Sequence, residues 1–101
     1  MKKLSKSEIK SAVASLHGWE VKDGKLYREF RFADFSRAFA FMTASAIRAE
    51  AANHHPEWFN VYNVVKVWLV THDVGGISEK DIEMARRMDD VHAQAPGASA
   101  V

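Results

Sequence analysis

The chain has 101 residues, 14 basic and 13 acidic side chains, a formal net charge of +1 at pH 7 and no cysteine. That length is one domain, able to bury roughly 60–70% of its unfolded surface, enough for a modest core without disulfide or metal staples. A disulfide framework, a thiolate nucleophile and a cysteine-ligated zinc or iron–sulfur site are excluded by composition, and the dispersed, balanced charge offers no basic footprint for direct nucleic-acid binding.

The opening MKKLSKSEIK has basic residues but no apolar run behind them, and no stretch approaches the ~20 apolar residues a membrane span requires. The expectation is a soluble, cytoplasmic, unprocessed protein with no membrane partner. Ser5 and Glu8 stand at capping-box spacing, with Leu4 and Ile9 as a possible hydrophobic staple, and Ile9, Val13 and Leu16 recur at helical spacing. These predict a first helix over about 5–15, ended by His17-Gly18. From Trp19 the period becomes two, and Asp23-Gly24 at the centre of WEVKDGKLYREFRF predicts a tight hairpin. Its second strand would carry Leu26, Arg28, Phe30 and Phe32 on one face and Tyr27, Glu29 and Arg31 on the other.

Asp34 reads as an N-cap, followed by a long helix to about Ala52 with Phe35, Ala38, Phe39, Met42, Ala46 and Ala49 as its buried stripe. Aromatic residues at that spacing more often pack against a sheet than line a ligand site, so Phe35 and Phe39 are assigned to the core. Beyond Pro56, EWFNVYNVVKVWLVTHD predicts two more strands turning near Tyr62-Asn63-Val64. The last would send Val65, Val67, Leu69 and Thr71 to one face and Lys66, Trp68, Val70 and His72 to the other; both faces carry apolar groups, so one could meet another subunit. Gly75-Gly76 breaks the strand. Ser78 and Asp81 form a second capping-box spacing ahead of a third helix over about 79–94, with Ile82, Ala85, Met88 and either Val91 or His92 as its stripe. Residues 1–95 are expected to form the single domain and 96–101 a flexible tail.

The chemistry gathers where the second helix meets the third strand. His54 and His55 are adjacent and precede Pro56, which biases His55 away from helix and sets the pair at an element boundary. His55 lies eight residues before Asn63 and His72 nine after it, so both fall at the open end of the hairpin, and the three histidines are expected to face one another across a small pocket. Imidazole titrates nearest neutrality, which suits general acid–base catalysis. A zinc site is the weaker reading, because adjacent histidines on extended backbone diverge and HExxH spacing is absent. Surface histidines satisfying local backbone are the ordinary explanation for isolated cases such as His17 and His92. Glu50, one helical turn before His54, could orient an imidazole or pair with a ligand's polar edge, although an exposed helix charge is commoner. For Asp81 the helix cap is the stronger reading. Trp19 and Trp58 could present an aromatic face to a flat ligand or simply pack.

Glu50 with HHPEWFNVYN, then Thr71-His72, then Gly76-Ile77-Ser78-Glu79 with Asp81-Ile82, closely resembles the pterin-4a-carbinolamine dehydratase family, from the Gly18-Trp19 pair to about Met88. The resemblance implies an α+β fold of order α-β-β-α-β-β-α, a four-stranded antiparallel sheet with helices packed on one face. It implies a lyase that eliminates water from 4a-hydroxytetrahydrobiopterin to give quinonoid dihydropterin, with no metal or organic cofactor, in support of an aromatic amino-acid hydroxylase pathway and tetrahydrobiopterin recycling. By the same resemblance His54 is the principal acid–base residue, His72 its counterpart and His55 mainly a substrate contact. His55-Pro56 and the segment Thr71, His72, Asp73 and Val74 would hold the pterin, with Glu50 as a polar partner. A homodimer or homotetramer is expected. Animal members also serve as dimerisation cofactors of a homeodomain transcription factor, so a non-catalytic dimerisation or coactivator protein is the alternative. Many relatives carry Asp directly before the two histidines, whereas Asn53, an uncharged amide, stands here.

Overall fold

A computed structural model describes residues 1–94; the expected tail, 96–101, lies outside the described residues. The elements run α1 (Lys6–Ala14), β1 (Glu20–Lys22), β2 (Lys25–Arg31), α2 (Phe35–Ala52), β3 (Glu57–Val61), β4 (Val64–Leu69) and α3 (Glu79–Gln94). The fold is thus the expected α-β-β-α-β-β-α, and its four strands form one antiparallel sheet in the order β1-β2-β4-β3.

Local chemistry explains the boundaries. The Ser5 hydroxyl accepts from the Glu8 backbone N–H at 3.2 Å while Glu8 accepts from the Ser5 N–H at 2.9 Å, a reciprocal cap that starts α1. Asp23 and Gly24, both at positive φ (54° and 76°), make the β1–β2 turn, the geometry whose twist matches antiparallel strands. At the β3–β4 turn Tyr62 takes a φ of 51°, uncommon for a bulky residue. Side-chain amides hold it there: Asn60 donates to the Val64 carbonyl at 2.8 Å and Asn63 to the Phe32 carbonyl at 2.9 Å.

The core lies between one sheet face and the helices. Leu26 and Phe30 of β2 and Val65, Val67 and Leu69 of β4 are fully buried, alternating along their strands as the period of two requires. Against them pack Ala38, Phe41 and Ala49 of α2 and Ile82, Ala85 and Met88 of α3. Trp19 is also core, 5% exposed and edge-on to Phe30, and its indole N–H donates to Asp89 at 2.7 Å. Asp89 further accepts from Arg28 at 2.6 Å and from the His17 backbone N–H at 3.2 Å, so this buried pair has the extra hydrogen bonds that offset its desolvation.

Two expectations are corrected. Phe35 and Phe39 are 48% and 54% exposed, and Ala46 is exposed; the buried stripe of α2 is Ala38, Phe41, Ser45 and Ala49. The helix is rotated so that Phe41 meets Phe30 and Phe32, with ring centroids 4.5 Å and 5.2 Å apart. Second, β4 ends at Leu69: Thr71 makes an isolated bridge to Gly76, and His72–Val74 form a 3-10 turn closed by Gly75 at a φ of 69°. Strand alternation therefore does not govern His72. Among the described residues no helix is long and apolar enough to cross a membrane.

Candidate active site

The histidine pair begins where α2 stops. Asn53 is its C-cap, in the left-handed region at φ 50° and ψ 43°, and the His54 backbone N–H returns to the Ala49 carbonyl at 3.0 Å. Asn tolerates that conformation better than most residues with a Cβ, and Asp is the other common occupant. The asparagine at this position thus meets the backbone requirement of the reversal. After the reversal, Pro56 keeps the chain extended and leads directly into β3.

The reversal splits the two histidines. His54 turns inward, 8% exposed, with Nε2 2.5 Å from Asp81 Oδ1. His55 turns outward, with Nε2 2.8 Å from Glu50 Oε1, and both side chains are well exposed. His72 is exposed too, its Nε2 3.1 Å from Glu57 Oε2. Each of the three imidazoles thus places Nε2 on its own carboxylate, and none forms a hydrogen bond through Nδ1 among the described residues.

The pairs are tied to one end of the sheet. Asp81, fully buried at the start of α3, takes the His54 imidazole on one oxygen and the Thr71 hydroxyl (2.8 Å) on the other, and Thr71 directly precedes His72. Glu57 opens β3 two residues after His55 and also accepts from Lys25 Nζ at 2.6 Å. The Lys25 bond holds the Glu57 carboxyl below its ordinary value; burial opposes it, and a lesser contribution from His72 adds to the lowering. Glu57 pairs across the ladder with Trp68, and Trp68 with Tyr27, so its side chain belongs to the sheet face away from the core. His54 and His72 accordingly reach the end of the sheet from two layers, the helix layer and the open face. The cavity that His54 lines, about 280 Å³, is bounded by Met1, Ala52, Glu79, Lys80, Glu83, Met84 and Arg87, and includes neither His55 nor His72.

The other expected contacts divide in the same way. Pro56 and Val74 are half-buried and Asp73 is exposed beside His72. Thr71 is 7% exposed, and its hydroxyl is committed to Asp81 and to Ser78 Oγ at 2.6 Å. Trp58 is half-buried against the core. Among the described residues no group of three or more His, Asp or Glu side chains is arranged to hold a metal ion. Two partners escape a reading by residue type. Asp81 does cap α3, accepting from the Ser78 N–H at 2.9 Å, and the same carboxylate also grips His54. Glu57 carries no local motif, and only strand pairing brings it to Lys25 and His72.

A family model described as pterin 4 alpha carbinolamine dehydratase matches residues 2–91. A relative from Solibacter usitatus, provisionally named a pterin-4-alpha-carbinolamine dehydratase, is 58% identical over 87 residues, covering 86% of this chain and 92% of that one. One from Burkholderia pseudomallei with the same provisional name is 52% identical over 97 residues, covering 92% and 96%. Among solved structures, a protein of Brucella melitensis described as a transcriptional coactivator/pterin dehydratase aligns with a TM-score of 0.86 at 48% identity, covering 89% of this chain and 98% of that one.

Proposed function

The chain belongs to the pterin-4a-carbinolamine dehydratase family, and on that footing we propose that it is a hydro-lyase that dehydrates 4a-hydroxytetrahydrobiopterin to quinonoid dihydropterin. The observation that carries the reading is the set of three imidazole–carboxylate pairs, His54–Asp81, His55–Glu50 and His72–Glu57, at one end of the sheet. In the reaction the C4a–O bond breaks, a proton supplied to the departing hydroxyl makes water, and N5 gives up its proton as the N5=C4a bond forms. Protons donated and accepted balance, so one protonated and one neutral imidazole suffice and exchange roles over the cycle.

His54 is the principal acid–base residue and His72 its counterpart, each working from the ring nitrogen opposite its carboxylate. His55 with Pro56 contacts the substrate, Glu50 meets a polar edge of the pterin, and Thr71 to Val74 form the facing wall. A carboxylate behind an imidazole orients the ring and stabilises its protonated form, as in other His-based acid–base sites. The substrate would be the carbinolamine left by an aromatic amino-acid hydroxylase, and the activity would support tetrahydrobiopterin recycling.

The experiment is to follow the decay of chemically generated carbinolamine by ultraviolet absorbance. Wild-type protein is expected to accelerate it. His54→Ala should lower kcat by about 10²-fold or more with the fold retained, His72→Ala should do likewise, and His55→Ala should act mainly on KM. No acceleration by wild type, or unchanged turnover in His54→Ala, would contradict the proposal. A second reading, a non-catalytic dimerisation or coactivator role on the same fold, draws on apolar side chains left in solvent: Phe35, Phe39 and Ile47 on α2 and Phe59 and Val61 on β3. They also favour a homodimer or homotetramer, since exposed apolar groups gathered on an element mark contact surfaces.

A further inference from the structure

Ser78 and Thr71 hold Asp81 in one orientation, and that orientation has a consequence for the His54 ring it faces. Asp81 Oδ2 accepts the Ser78 backbone N–H at 2.9 Å and the Thr71 hydroxyl at 2.8 Å, while Oδ1 faces His54 Nε2 at 2.5 Å. A backbone N–H can only donate, so the Oδ2 edge must be an acceptor. Thr71 gives its single proton to Asp81, so the 2.6 Å contact between Thr71 Oγ1 and Ser78 Oγ draws on the Ser78 proton, which Ser78 Oγ also directs at Met1 Sδ at 3.2 Å while it receives the Lys80 backbone N–H at 3.2 Å. The acceptor role of the Oδ2 edge is therefore fixed by the Ser78 main-chain N–H. Asp81, Ser78 and Thr71 are at most 7% exposed, so water has little access to reverse it.

We infer that Asp81 is a positioning residue that holds neutral His54 in its Nε2–H tautomer, leaving the Nδ1 lone pair as the proton-accepting nitrogen. The inference rests on the dehydratase reading for its catalytic meaning, but not for its structural content. A carboxylate can only accept, so His54 must donate through Nε2. The same donors at Oδ2 make Asp81→Asn a sharp probe. The amide oxygen of the variant must take the Ser78 and Thr71 side, because an NH₂ there would oppose the Ser78 N–H. The NH₂ group then faces His54 and can only donate to it, so Nε2 must become the acceptor and the proton moves to Nδ1.

The test is the ¹⁵N–¹H correlation spectrum of the imidazole rings in the full-length protein at neutral pH, read alongside the carbinolamine assay. Wild type is expected to show His54 protonated at Nε2, and Asp81→Asn to show it protonated at Nδ1, with kcat lower by about 10²-fold or more and KM changed by less than about threefold. A purely structural role for Asp81 would not invert the tautomer. A wild-type spectrum with the proton on Nδ1 overturns the inference even if the variant fails to fold. An Asp81→Asn spectrum that keeps the proton on Nε2, or a switched tautomer with unchanged kcat, overturns it as well. Wild-type protein that shows the expected tautomer without accelerating carbinolamine decay would instead count against the dehydratase reading.

Discussion

Glu57 shows how one side chain can serve both stability and the site. Its two oxygens divide between Lys25 at 2.6 Å and His72 at 3.1 Å, bridging β2, β3 and the turn after β4. Its folded pKa lies below the ordinary 4.5, chiefly through the Lys25 bond. A depressed carboxylate pKa adds stability that is present above the unfolded value and is lost as pH falls through the folded one. Glu57→Gln is therefore expected to lower the urea midpoint at neutral pH by a small amount, since the pair is partly solvated. The gap between variant and wild type should close in acid, below about pH 4.5. A gap that persists unchanged at low pH would mean the charge is not what stabilises. Asn53 is understood at the same scale. Its side chain carries no charge, and its backbone meets the requirement of a left-handed C-cap.

Among the elements, α2 carries the clearest division of labour. Phe41, 1% exposed, fills the space between Phe30 and Phe32, so Phe41→Ala should cost about 3–5 kcal/mol in chemical denaturation. Phe39→Ala, at a site 54% exposed, should leave the stability of a monomer nearly unchanged and reduce the mass measured by sedimentation if α2 is a contact between copies. Equal losses of stability from the two would contradict the orientation of the helix. Sequence alone could not phase α2, because apolar residues surround it: Phe35, Ala38, Phe39, Phe41, Met42, Ala46 and Ile47 fit more than one stripe. Burial is decided by long-range aromatic contacts that periodicity does not encode. The hairpins were legible for the opposite reason. Asp23-Gly24 and the alternation from Trp19 to Phe32 are local signals, and α3 starts at Ser78 and Asp81 as their spacing requires. The extent of β4 was overestimated because Val70 and Thr71 continue a β-branched run, while the Thr71–Gly76 bridge turns the chain away.

For the molecule as a whole, the sheet order β1-β2-β4-β3 places β4 at the centre and the β3–β4 hairpin at one side, its open end facing the start of α3. That topology carries residues far apart in the chain to one place: His54 to Asp81, and His72 to Glu57. The histidines could be found by residue type and by position in a hairpin, and the resemblance gave them a substrate. Of their carboxylates only Glu50 could, by its helical spacing, because a capping signal already accounted for Asp81 and Glu57 acquires its partners only through strand register. The central claim is that imidazoles reaching the sheet end from two layers act on one bicyclic substrate. Its most direct measurement is a titration of the full-length protein with a dihydropterin, followed by the ring signals of all five histidines. The account predicts saturable shifts of His54, His55 and His72 with a single midpoint, while His17 and His92 stay unmoved. Saturation that shifts His54 without His72, or His72 without His54, would contradict it.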